Sequence, residues 1–170
     1  MPSAIENTLR ELENWFREID GGTERPKLAK LAMLEFCGWL EHRMDEIVRM
    51  AASNCGADSD RIEKMINSTH GFKYDEHFRP MMCATIGDGS VSYVEKRLSS
   101  NGTDVDHLRS LLGTYWKTRG SLAHTHMGGV QVTLNAPSWC LNQQRVVGKI
   151  LTKLEMEALA AANKIRLDAS

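Results

Sequence analysis

Apolar positions recur at three- and four-residue spacing along most of the chain, the period of a helix with one covered face. In the opening segment Ile5, Leu9, Leu12, Phe16 and Ile19 share such a face. Ser3 followed by Glu6 reads as a capping box, in which side chains satisfy the orphan backbone donors of the first turn. Gly21-Gly22 is expected to end this helix. The longest periodic segment begins near Pro26, a residue suited to a first turn, and runs to about Ser53. Met33, Cys37, Leu40, Met44, Ile47 and Ala51 form its stripe, and Ala32, Phe36 and Trp39 widen it. A helix so broadly apolar is expected to be covered on more than one side.

The middle of the chain is less regular. Asp60 to Ser68 reads as a short helix with Ile62, Met65 and Ile66 on one side. Residues 70–80, which include Pro80, read as loop plus a broken helix, and Val91, Val94 and Leu98 suggest a helix after a Gly87-Asp88-Gly89 turn. Thr103 or Asp104 then supplies an N-cap, and Val105, Leu108, Leu112, Tyr115, Arg119 and Leu122 lie on one helical face. Gly128-Gly129 interrupts, and Val130, Val132 and Leu134 alternate as in a hairpin arm or extended linker. Pro137 opens a final long helix in which Val147, Ile150, Leu154, Ala158, Ala161 and Ile165 repeat. The pattern predicts an all-α, up-and-down helical bundle over 1–170 as a single domain. It has a long second helix, a long C-terminal helix and a short irregular insert in the middle.

Composition narrows the class of molecule. The chain has 170 residues with a formal net charge of -1, so a globally basic nucleic-acid coat is excluded, and contact with RNA or DNA needs a local patch. Residues 96–126 offer one: Lys96, Arg97, Arg109, Lys117 and Arg119 oppose Asp104 and Asp106. Cys37, Cys55, Cys83 and Cys140 are scattered and form no CxxC pair, which points to free thiols and a cytoplasmic setting. No apolar run approaches the length of a membrane span, and no membrane partner is expected. Neither a Walker A loop nor a GxGxxG loop occurs, and no cofactor is expected.

The chemistry gathers in Tyr115-Trp116-Lys117-Thr118-Arg119-Gly120-Ser121-Leu122-Ala123-His124-Thr125-His126. A permanent cation beside a group that titrates near neutrality suits phosphodiester work: Arg stabilises charge building on phosphate oxygens, and His moves a proton at pH 7. RNA brings its own nucleophile, the 2′-hydroxyl, so no metal is required. On an ideal helix residues five apart stand about 140° from each other while residues seven apart nearly eclipse. Arg119 therefore faces His126 and only obliquely His124, unless Gly120 loosens the helix. The blander expectation is that Arg119 and the histidines meet the helix-end carbonyls and dipole. A metal held by His124 and His126 would need a strand there, and the helical run argues against it. Glu35 and Glu41 on the long helix are weaker candidates for supporting groups.

The phrase LLGTYWKTRGSLAHTHM resembles the signature of the HEPN superfamily, an apolar helix running into an Arg, four to six residues, then a His. MLEFCGWLEHRMDEIV resembles the second helix, and APSWCLNQQRVVGKILTKLEMEAL the last helix, of HEPN proteins of RNA-repair and defence operons. The three blocks cover about half the chain and none of the stretch between Asn54 and Leu98. The resemblance implies a helical-bundle homodimer whose Arg/His motifs face each other across a cleft, acting as a metal-independent endoribonuclease of toxin–antitoxin or defence type. By motif position Arg119 would stabilise the pentacoordinate phosphate, with His124, or His126 at the longer spacing, as general acid and base. Tyr115, Lys117 and Ser121 would contact the substrate, and an antitoxin or other operon-encoded protein would be a partner. In one respect the chain departs from the pattern. The family often has Asn, Asp or another polar residue directly after the Arg, and Gly120 stands there. The departure carries the rival expectation, a catalytically silent module of the same fold that docks a partner protein or a nucleotide.

Overall fold

A computed structural model describes residues 3–20, 22, 24–100, 102, 105–124 and 134–168, without the side chains of Ala123 and His124. The fold is an all-α bundle, and no strand occurs among the described residues. Its helices are α1 (Ala4–Glu18), α2 (Glu24–Cys55), α3 (Ser59–Ser68), α4 (Arg79–Ile86), α5 (Asp88–Ser100), α6 (Val105–His124) and α7 (Pro137–Asp168). A π-helical turn, Tyr74–Phe78, leads directly into α4. None of these helices is long and apolar enough to cross a membrane.

Contacts divide the chain into two compact units. One comprises Met1–Leu40 and Tyr115–Gly148, the other Glu41–Thr114 and Lys149–Ser170. Helices α2, α6 and α7 each contribute a segment to both.

In the first unit Leu9 and Leu12 of α1, Phe36 and Cys37 of α2, Tyr115 and Leu122 of α6, and Cys140 of α7 are all buried. Each such leucine stabilises the fold by roughly 2 kcal/mol through the apolar area it removes from water. The Glu6 N–H reaches the Ser3 hydroxyl oxygen at 3.4 Å, so half of the expected capping box forms. The Glu6 carboxylate is instead engaged by Arg10 and Arg145, each at 2.7 Å. Helix α7 is capped from outside its own sequence. Glu13 of α1, buried to 9 % exposure, accepts the Ser138 N–H at 2.7 Å with one carboxylate oxygen and the Arg17 Nε–H at 2.7 Å with the other. A carboxylate at that end meets both the unpaired donors of the first turn and the positive end of the helix dipole.

The second unit holds the chain's irregular middle, and that middle is mostly helical. Residues 69–73 are loop, after which the backbone is helical from Tyr74 to Ile86. The N–H of Phe78 bonds to the Lys73 carbonyl at 3.1 Å, a five-residue step. Pro80, two residues on, has no N–H to give to a preceding carbonyl, and its ring crowds the turn before it, which accounts for the widening. Gly87, at φ 83°, makes the following turn by itself, and Asp88 and Gly89 already belong to α5. An ion network ties this region to α6. Glu95 of α5 accepts from Arg79 Nε at 3.1 Å and from an Arg109 Nη at 2.9 Å. Arg109 also reaches Asp75 at 3.0 Å and Asp106 at 2.6 Å, and lies 4.9 Å from the centre of the Tyr74 ring. Burial, then the neighbouring Glu95, holds the Tyr74 phenol above its ordinary pKa.

The stripe of α2 is buried at every expected position, and Ala32 and Phe36 are buried beside it. On α7 the expected Val147, Leu154, Ala158 and Ala161 are buried, Leu151 and Ala162 are buried beside them, and Ile150 and Ile165 are only half-buried. The expected N-cap at Thr103 or Asp104 and the expected arm at 130–133 lie outside the described residues.

Candidate functional site

The segment singled out by sequence is the second half of α6, within the first unit. Its register is set by Tyr115. That ring packs edge-on against Phe36 of α2, 5.0 Å between centres, and against Trp139 of α7, 5.9 Å between centres. Phe36 in turn stacks on Trp39 with centres 6.0 Å apart. The Tyr115 hydroxyl donates to Gln143 Oε1 at 2.7 Å, and the Tyr115 carbonyl accepts from the Cys37 thiol at 3.8 Å. An aromatic residue that fills a core site and satisfies its own hydroxyl fixes both the depth and the rotation of its helix. Tyr115 is 1 % exposed, so the structure places it as a packing residue rather than on a ligand-facing surface. Burial raises its phenol pKa, and Cys140 beneath it is pushed up to about 12 for the same reason.

Four residues on from Tyr115 and three before the buried Leu122, Arg119 occupies the apolar stripe of α6 and is half-buried. Its guanidinium carbon lies 5.6 Å from the centre of the Trp116 ring, one turn earlier on the same helix. Lys117 and Ser121 are exposed. Gly120 is exposed too, and a methyl group added there would meet, among the described residues, no atom beyond its own helical turn within 4 Å. The helix passes through Gly120 to His124 without a break. Helical phase therefore sets positions 119 and 124 about 140° apart around α6. The His124 side chain lies outside the described residues, as does His126 entirely.

The basic stretch 96–126 is less charged in space than along the chain. Arg109 is paired with Asp75, Glu95 and Asp106, and Arg97 with Glu157 at 3.4 Å. Three of its carboxylate partners, Asp75, Glu95 and Glu157, come from outside the stretch, which a count along the sequence does not see. Glu35 is exposed on α2, and Glu41 is half-buried. Among the described residues no three His, Cys, Asp or Glu side chains gather as a metal site.

Two residues of this site carry no role in the sequence pattern. Gln143, the acceptor for Tyr115, has no sequence signal, since it is 28 residues away and meets Tyr115 only through the packing of α7. Trp116 does have one: an aromatic residue three positions before an arginine on a helix shares its side.

Compared with protein-family models, curated proteins and solved structures, the chain gives no match in any of the three.

Proposed function

We propose that the chain is a metal-independent endoribonuclease of the HEPN type, working as a homodimer. The observation that carries this reading is the setting of Arg119. A permanently charged group sits half-buried on an apolar helical stripe, in a turn pinned by Tyr115, five residues before His124 on one unbroken helix. Burying part of an arginine costs desolvation, and a guanidinium so placed presents a planar fork that matches phosphate oxygens.

In the proposed reaction the 2′-hydroxyl of one nucleotide attacks the adjacent phosphorus while the bond to the 5′-oxygen of the next breaks. A histidine takes the proton from the 2′-hydroxyl, and the corresponding histidine of the other chain, in its protonated form, gives a proton to the departing 5′-oxygen. The products are a 2′,3′-cyclic phosphate and a 5′-hydroxyl end. Arg119 neutralises the non-bridging oxygens as they gain charge. The angular separation on α6 favours a shared site, in which the two-fold axis of a dimer brings each Arg119 to the histidine of the other chain.

The test is cleavage of labelled RNA in EDTA by wild type, Arg119→Ala, His124→Ala and His126→Ala, with mass measured in parallel by light scattering. The expected result is a dimer that cleaves, with cleavage abolished by Arg119→Ala and by one of the histidine substitutions. Equal activity in all four proteins overturns the assignment. One observation favours a second reading: Gly120 leaves the position after the arginine without a polar side chain. A silent docking module would be dimeric and folded, would leave RNA intact, and would still bind RNA or a protein through the exposed Lys117 and Ser121.

A further inference from the structure

Arg119 does not stand alone on α6: its side chain lies over the face of Trp116. A cation within about 6 Å of an indole centre is attracted by the negative face of the ring, most strongly for Trp among the aromatic residues. We propose that Trp116 is a positioning residue, an indole platform that holds the Arg119 guanidinium in the one orientation in which it meets the scissile phosphate. The inference rests on the ribonuclease reading above.

Three features of the structure support it. First, the turn that carries the platform is anchored. Trp116 follows Tyr115, whose ring, hydroxyl and carbonyl are all engaged by α2 and α7, which fixes the rotation of the helix at that point. Second, the spacing is the productive one, because residues three apart on a helix lie on the same side. Third, the contact engages the face of the guanidinium, as the Tyr74 ring does for Arg109 and the Phe16 ring for Arg25. Carboxylates, such as those that meet Arg79 and Arg109, take up N–H donors and neutralise the charge. Stacking fixes the plane of a guanidinium through its face and uses no N–H donor. The forked edge that recognises phosphate is the part such a contact leaves oriented.

The step that gains is the chemical one. An arginine free to rotate still attracts RNA, but it spends less time aligned with the oxygens that gain charge in the transition state. Removing the indole face therefore lowers the maximal rate more than it weakens binding.

Single-turnover cleavage of labelled RNA in EDTA, from pH 5 to 9, tests this with Trp116→Phe and Trp116→Leu beside wild type. Circular dichroism and thermal melting establish that each variant is folded. Trp116→Leu is expected to cleave about tenfold more slowly at saturation, with the half-saturating protein concentration changed less than twofold, since a cation–π contact of this exposure is worth about a factor of ten. Trp116→Phe, which keeps a π face, is expected to recover to within about threefold of wild type, and the shape of the pH profile is expected not to move. Wild-type rates in a folded Trp116→Leu, or a Trp116→Phe as slow as Trp116→Leu, overturn the inference alone. A Trp116→Leu that fails to fold leaves the decision to Trp116→Phe, whose rate then supports or overturns it. RNA left intact by wild type overturns the ribonuclease reading and this inference with it.

Discussion

Asp45 gives the sharpest quantitative expectation for the fold. It lies on α2, half-buried, with Glu41 one turn before it, Arg49 one turn after it and Glu63 of α3 nearby. Burial pushes its carboxyl up to about 6 from the usual 3.8; Glu41 and Glu63 add to the rise, while Arg49 and His42 oppose it. A shift of that size corresponds to about 3 kcal/mol at 1.36 kcal/mol per unit, and screening at a half-exposed site reduces it to about 1–1.5 kcal/mol. The sign follows from which state holds the proton more tightly. The folded protein does, so protonated Asp45 favours folding at low pH, and that benefit is lost as pH rises from about 3.8 to about 6. Above that range the charged carboxylate is a standing cost. Asp45→Asn keeps the shape and removes the charge, and should stabilise the protein by about 1–1.5 kcal/mol at pH 8, falling to about 0.7 kcal/mol near pH 4.5 and further below it. Urea titrations of both proteins at pH 8, 6 and 4.5 read this as a shift in midpoint at constant slope. An Asn variant no more stable than wild type at pH 8, or a gain that does not change with pH, refutes the reasoning.

Other expectations follow from single contacts. Glu13→Ala removes the carboxylate that caps α7 at Ser138 and should destabilise the protein by about 1–2 kcal/mol, as loss of a helix cap does, measured by thermal or urea denaturation. Gly120→Ala should stabilise it by about 0.5–1 kcal/mol, because the site is exposed, helical and open to a methyl group. Gly120→Asn should fold equally well, and a rise in RNA cleavage over wild type would identify the missing polar group as what limits the site. In the native protein a thiol reagent should find Cys55 and Cys83 and leave the buried Cys37 and Cys140 untouched until denaturant is added. Cys83 should react slowly, since burial and Asp88 hold its thiol above the ordinary pKa.

Much of this architecture was legible in the sequence because it is local. The period of Met33, Cys37, Leu40, Met44, Ile47 and Ala51 requires a helix with that face inward, and all six are buried. Pro137 opens α7, as a residue without an N–H suits a first turn. On α7 the period places Val147, Leu154, Ala158 and Ala161 correctly, but Leu151 rather than Ile150 is the buried residue of its turn and Ile165 is half-buried, because period alone leaves an angular tolerance that only the neighbouring side chains close. The stretch 70–80 was legible as irregular, but Pro80 produced a widened turn within continuous helix rather than a break.

The candidate site divides along the same line. The sequence by itself determined that a cation and titratable imidazoles fall on or just after one apolar helix, and that Gly120 follows the cation. It also determined the single-helix spacing of Trp116 and Arg119, since i and i+3 meet on any helix. Only tertiary structure decided the rest. Tyr115 points into the core because Phe36, Trp139 and Gln143 converge on it from positions 79, 24 and 28 residues away. Glu13 caps a helix that begins 124 residues later, and Asp75 and Glu157 claim two arginines of the basic stretch. A sequence pattern encodes which faces of a helix avoid water; which partner each polar group meets depends on how those faces pack, and that information is spread over residues far apart in the chain.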